Sequence, residues 1–105
     1  MSVLIYTTCK DAEEAKRISR ELLDARLIAC ANIFPVESVY RWKGEIEESK
    51  ETVMILKTSE DTCERAQKLL TDLHSYDLPA IEVIKAECSD ACERWLKEET
   101  SPKRG

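Results

Sequence analysis

The stretch Ile28-Ala-Cys-Ala-Asn-Ile-Phe-Pro-Val-Glu-Ser-Val-Tyr-Arg-Trp42, followed by Lys43-Gly44 and then Glu45-Ile-Glu-Glu-Ser-Lys-Glu-Thr-Val-Met-Ile-Leu-Lys-Thr58, decides the fold. The two long runs read as strands, and Gly44 supplies the positive φ that a tight turn requires. Together they predict one long hairpin. At about 3.3 Å per residue each strand extends on the order of 45 Å, whereas a domain of this size has a radius of gyration of about 13 Å. The hairpin therefore overhangs its own core. Val53-Met-Ile-Leu56 is apolar on both faces, but Glu45, Glu47, Glu48, Ser49, Lys50 and Glu51 beside the turn are polar. The inner half is expected to be a buried central strand and the outer half an arm, with Pro35 kinking the first strand.

Helical patterns flank the hairpin. On the N-terminal side, Val3 to Tyr6 reads as a short strand, and Asp11 with Glu14 makes a capping box ahead of Ala15, Ile18, Leu22 and Ala25 at helical spacing. On the C-terminal side, Ser59 is placed to cap a helix whose apolar face is Cys63, Ala66, Leu70 and Leu73. Leu78 to Cys88 then reads as a last strand starting at Pro79, where no ladder hydrogen bond is needed. Ser89-Asp90 caps a short terminal helix carrying Trp95 and Leu96, and residues Thr100 to Gly105 are expected to fray. The order β-α-β-β-α-β plus a terminal helix predicts an α+β, ferredoxin-like sandwich in which helices cover one face of an antiparallel sheet. Residues 1–105 form one domain in this reading.

Composition narrows the function. The 105 residues carry 21 acidic and 16 basic side chains, a net charge of -5, which disfavours attraction to nucleic acid phosphates. No apolar run approaches the roughly 20 residues of a membrane span, and Met1 to Thr8 lacks the pattern of a signal peptide. A cytoplasmic protein with neither nucleic acid nor membrane as partner is expected. The cysteines Cys9, Cys30, Cys63, Cys88 and Cys92 are odd in number, contain no Cys-x-x-Cys pair, and are expected to be free thiols.

Four motifs then carry a resemblance. Ala29-Cys30-Ala31-Asn32-Ile33, Ser38-Val39-Tyr40-Arg41-Trp42-Lys43-Gly44, Ile55-Leu56-Lys57-Thr58 and His74-Ser75-Tyr76-Asp77-Leu78-Pro79 stand in the order and spacing of the CutA divalent-cation-tolerance family. The chain resembles that family from Val3 to about Glu99. The resemblance implies a cytoplasmic homotrimer linked to tolerance of copper and other divalent ions, structurally similar to PII-type signalling proteins, with a cleft between subunits. It also implies departures. Ser75 and Ala80 stand where most members have a proline and a glutamate, and Tyr6 and Leu73 stand where copper-binding members have a cysteine and a second histidine. Weak copper binding is the expectation, with no obligatory cofactor.

Among individual residues, His74 is the single histidine and the first candidate metal ligand, against the plainer role of bonding carbonyls at a helix C-terminus. Cys30, between two alanines, is a weaker metal candidate that reads mainly as packed against a helix. Tyr40 and Trp42 share a strand face near the tip, where aromatics mark a contact between subunits. Lys57, the lone cation of an apolar strand, joins Tyr40, Trp42, His74 and Tyr76 as a set suited to a small pocket. No nucleophile with an adjacent base, glycine-rich phosphate loop or histidine pair is present, so the chain is not read as an enzyme. The alternative is a PII-like trimeric small-molecule sensor or a protein-anchoring scaffold.

Overall fold

The computed structural model describes residues 1–102. Seven elements follow in order: β1 (Ser2–Cys9), α1 (Ala12–Asp24), β2 (Cys30–Trp42), β3 (Glu45–Ser59), α2 (Glu60–Leu73), β4 (Ile81–Ala86) and α3 (Asp90–Glu99). The four strands make one antiparallel sheet in the order β2-β3-β1-β4, the ferredoxin-like arrangement expected from the sequence.

Alternation assigns the two faces of this sheet. Val3, Ile5, Thr7 and Cys9 of β1 stand opposite Thr58, Leu56, Met54 and Thr52 of β3. These positions face the helices: Ile5, Met54 and Leu56 pack with Ala15, Ile18 and Leu22 of α1 and with Cys63, Ala66 and Leu70 of α2 in one buried cluster. Tyr6, Thr8, Val53 and Ile55 occupy the other face. α3 packs by the end of β3, where its Leu96 is buried and Thr100 Oγ1 lies 3.4 Å from Ser59 Oγ.

The hairpin ladder runs from Cys30 opposite Lys57 to Trp42 opposite Glu45. Its two-residue turn has positive φ at both Lys43 (49°) and Gly44 (83°), the signature of a type I′ hairpin turn that matches the twist of the strands. The expected kink at Pro35 introduces no shift of register, since Pro35 stands opposite Thr52 within the continuous ladder. β2 is an edge strand, and one side of an edge strand needs no hydrogen bond. The arm gives the molecule its 49 Å long axis against 28 and 20 Å across.

Several boundaries differ from the sequence reading. β1 reaches Cys9 because β3 offers a partner as far as Thr52. β4 is shorter than Leu78 to Cys88: its ladder with β1 spans only Thr7 opposite Ile81 to Ser2 opposite Ala86, leaving residues 74–80 as a loop. Ala25 is an exposed C-cap instead of a core position, and the chain leaves α1 through Arg26 at a φ of 58°. Arg26 N–H donates to Leu23 O at 2.9 Å and Leu27 N–H to Leu22 O at 3.0 Å, a Schellman ending with arginine where glycine is usual. The Arg26 guanidinium accompanies this exception by donating to the carbonyl of Glu98 in the last turn of α3 and to that of Ser101 just past it. Ser59 precedes α2 but makes no side-chain capping bond; its hydroxyl meets Thr62 Oγ1 at 3.0 Å. In the tail expected to fray, Thr100 is buried and its hydroxyl donates to Leu96 O at 2.7 Å, while residues 103–105 lie outside the described residues.

Candidate functional site

A cleft of about 990 Å³ opens between the arm and the loop of residues 74–80. Tyr6 of β1, Tyr40 and Trp42 of β2, and Tyr76 of the loop give it aromatic walls. Glu37, Glu51, Asp77 and Glu82 bring carboxylates, and Lys10 and Lys50 bring cations. The alternation of β2 explains the upper wall, because Ser38, Tyr40 and Trp42 are two residues apart and share one face.

The loop that forms the opposite wall is held from behind by His74. His74 is 8% exposed and both of its ring nitrogens are engaged: Nε2 lies 2.8 Å from Thr8 O, and Nδ1 accepts the Tyr76 N–H at 3.0 Å. The carbonyl can only accept, so Nε2 carries the proton. The imidazole and Tyr76 rings sit 4.8 Å apart at 48°. At the cleft, Tyr76 donates its phenol to Glu51 Oε2 at 2.7 Å. Burial raises the phenol's pKa above its usual value, and the adjacent Glu51 carboxylate raises it further.

Glu14 anchors the same start of the loop through Ser75. The capping box is half formed: Glu14 N–H donates to Asp11 Oδ1 at 2.8 Å, but the Glu14 carboxylate turns to Lys10 N–H at 3.2 Å and Ser75 N–H at 3.1 Å. Arg17 Nη2 stands 3.6 Å away. Burial opposes ionisation of Glu14, yet the hydrogen bonds from Ser75 and Lys10 and the nearby His74 ring outweigh it and hold the carboxyl below its ordinary pKa.

The structure thus gathers Tyr40, Trp42 and Tyr76 at the cleft and places two other members of the expected set elsewhere. Lys57 stands opposite Leu4 and Cys30, well along β3 from the cleft, and His74 lies behind the wall. Cys30 shares Lys57's face, turned away from the helices against which it was expected to pack. Tyr6 and Ala80 line the cleft, and Leu73 packs against the helix-side core. Sequence reading missed Glu14, Glu51 and Thr8 as partners of the His74-Tyr76 pair. Glu14 was visible only as a capping residue, and the backbone carbonyl of Thr8 leaves no signal in a side-chain pattern.

This donor set does not fit a divalent ion within one chain. A neutral imidazole must offer a free lone pair to a metal, and the Nδ1 lone pair of His74 is already used. Among the described residues no group of three or more His, Cys, Asp or Glu side chains is disposed to hold a metal.

Comparison with known proteins adds the family. The sequence model of the CutA1 divalent ion tolerance protein matches residues 3–99. A divalent-cation tolerance protein CutA of Pyrococcus horikoshii is 45% identical over 101 residues, covering 93% of this chain and 97% of its own length. A solved structure from Archaeoglobus fulgidus, described as a periplasmic divalent cation tolerance protein CutA, superposes with a TM-score of 0.92 at 36% identity, covering 96% of this chain and all of the other. The divalent ion tolerance protein CutA1 of Ehrlichia chaffeensis gives 0.91 at 41%, covering 96% of each chain. The chain belongs to the CutA divalent-cation-tolerance family.

Proposed function

We propose that this protein is a cytoplasmic homotrimer acting in tolerance of divalent ions, copper among them, and that it holds copper weakly. The observation that carries the reading is the arm. Val39 (67% exposed), Ile46 (66%) and Trp42 (49%) are large apolar side chains on a ribbon that extends beyond the core of its own chain. Apolar surface in that position marks a protein contact, and a closed ring of three copies would bury every arm while leaving no copy unmatched. Five cysteines without a disulfide support a reducing compartment. Sedimentation or light scattering should give three times the 12.0 kDa chain mass; a mass of one chain at micromolar concentration overturns the trimer.

Weak copper binding follows from the engaged imidazole, since a metal must displace an intramolecular hydrogen bond to reach His74. Copper(II) tops the divalent affinity order, so it should bind better than zinc or nickel. Affinity should fall on His74→Ala, which removes the imidazole nitrogen donor. Submicromolar affinity unchanged by His74→Ala places the ion elsewhere.

The volume and lining of the cleft favour a second reading, a PII-like sensor of a small molecule. Four aromatic rings with charges of both signs are suited to an organic ligand more than to a bare ion. Calorimetric titration with a panel of metabolites, beside copper, separates the two.

A further inference from the structure

We propose that the cleft between the arm and the 74–80 loop takes an aliphatic polyamine, a chain of methylenes carrying two or more ammonium charges. This rests on the reading of the cleft as a small-molecule site and gives that ligand a chemical class. The charges of the lining decide the sign of the ligand. Glu37 and Lys50 stand opposite each other in the β2–β3 ladder and offset one another. Glu51, Asp77 and Glu82 then face Lys10 alone, three negative charges against one positive. The ion pairs among the described residues are made by Glu14, Glu60 and Glu93, which leaves these three carboxylates to a ligand. A phosphate- or carboxylate-bearing molecule meets repulsion in such a field, and an organic cation meets attraction.

The placement of the rings adds the methylene chain. Each wall sets an aromatic ring beside a carboxylate. On the loop side, the Tyr76 phenol donates to Glu51 Oε2 at 2.7 Å, which orients the carboxylate and keeps Oε1 for a ligand N–H. On the sheet, Tyr6 of β1 stands directly opposite Glu82 of β4, so the ring and the carboxylate project side by side. Tyr40 and Trp42 line the arm side, 43% and 49% exposed. An ammonium group is held over a ring face by the ring's quadrupole, and the methylenes between two such groups cover the apolar surface of the rings.

Spacing separates this ligand from a bare ion. The carboxylates share one cleft without converging: among the described residues no three His, Cys, Asp or Glu side chains are disposed around one point. A compact divalent ion needs its donors gathered at such a point. A polyamine carries its charges at intervals along a flexible chain, so it meets separated carboxylates one by one, and a cleft of about 990 Å³ has room for it.

The test is calorimetric titration of the whole protein with spermidine at low ionic strength. Binding should saturate, and its affinity should fall as salt is raised. Glu51→Gln and Glu82→Gln should each weaken it roughly tenfold, because each removes a charged hydrogen-bond acceptor, and Tyr6→Leu should weaken it about threefold by removing a ring. Glu64→Gln, exposed on α2, removes the same charge from a distant surface and should leave the affinity unchanged. Equal losses in Glu64→Gln and Glu82→Gln reduce the binding to general attraction of a polycation by a chain of net charge -5 and overturn the proposal, as does magnesium that competes with equal affinity. Citrate distinguishes the class from the reading beneath it. Citrate binding that is lost in Tyr6→Leu, with spermidine silent, overturns the polyamine but keeps the cleft as a small-molecule site, whereas silence of spermidine, citrate and the metabolite panel together overturns both.

Discussion

The inner and outer halves of the β2–β3 hairpin share one antiparallel ladder but not one environment. In the inner half, Val53, Met54 and Leu56 are fully buried between the helix layer and the open face. In the outer half, residues 37–48 are exposed or half-buried, and the Trp42 ring, 49% exposed, has the Nζ of its neighbour Lys43 5.9 Å from its centre. The difference shows what a ladder does and does not supply. Backbone pairing fixes the register and direction of the arm, whereas free energy comes from the surface that a second layer removes from water. A two-stranded ribbon alone is marginal in water, so the arm borrows its order from the inner half and offers its side chains to something outside the chain.

The largest way to break this contrast is Leu56→Ala, which opens a cavity under both helices and should cost about 2–5 kcal/mol, a fall in melting temperature of roughly 10 °C or more. Denaturant titration checks it, and a cost under about 1 kcal/mol contradicts the assignment of the core to the inner half. Glu14→Gln comes next, at up to about 3 kcal/mol, because an amide accepts the Lys10 and Ser75 N–H groups without a charge. The folded-state pKa of Glu14 is depressed, so its contribution is complete above the ordinary carboxylate value of about 4.3 and vanishes as pH falls through the lower folded value. The stability gap between wild type and variant should therefore narrow in acid; a gap independent of pH from neutral to pH 3 removes the ionised carboxylate from the account. On the arm, Trp42→Ala should leave secondary structure intact but weaken association by about 2 kcal/mol, near thirtyfold in the dissociation constant. Sedimentation over a dilution series reads this, and an unchanged profile makes the tip a passive surface. The smallest effect has the opposite sign. Thr7 Oγ1 is buried without a hydrogen-bond partner among the described residues, so Thr7→Val should raise stability by about 1 kcal/mol by thermal melting, and a loss of stability instead reveals a partner for that hydroxyl.

Sequence patterns made the hairpin legible because turn chemistry and polarity are local. Lys43-Gly44 set the register, and the change from Lys50-Glu51 to Val53-Met-Ile-Leu56 marked where the core begins. The cleft was legible only in part. Tyr40 and Trp42 belong together by strand alternation, but whether Lys57 or Glu51 faces Tyr76 depends on how far along β3 the loop lands, a tertiary fact with no periodicity. His74 was misplaced for a similar reason: its partner is a backbone carbonyl of β1, sixty-six residues away, which no side-chain motif encodes.

Arg26 ties two distant events together. The residue that stops α1 by adopting a left-handed backbone is the same one whose guanidinium holds the carbonyls at the end of α3, 72 and 75 residues later. Ending the first helix and seating the last are therefore one cooperative step, in which the strain of a side chain at positive φ is offset only when the C-terminal segment arrives. A chain truncated before Glu98 should keep that strain and lose its compensation, so α1 would fray at its C-terminal turn even though every residue of that helix is still present.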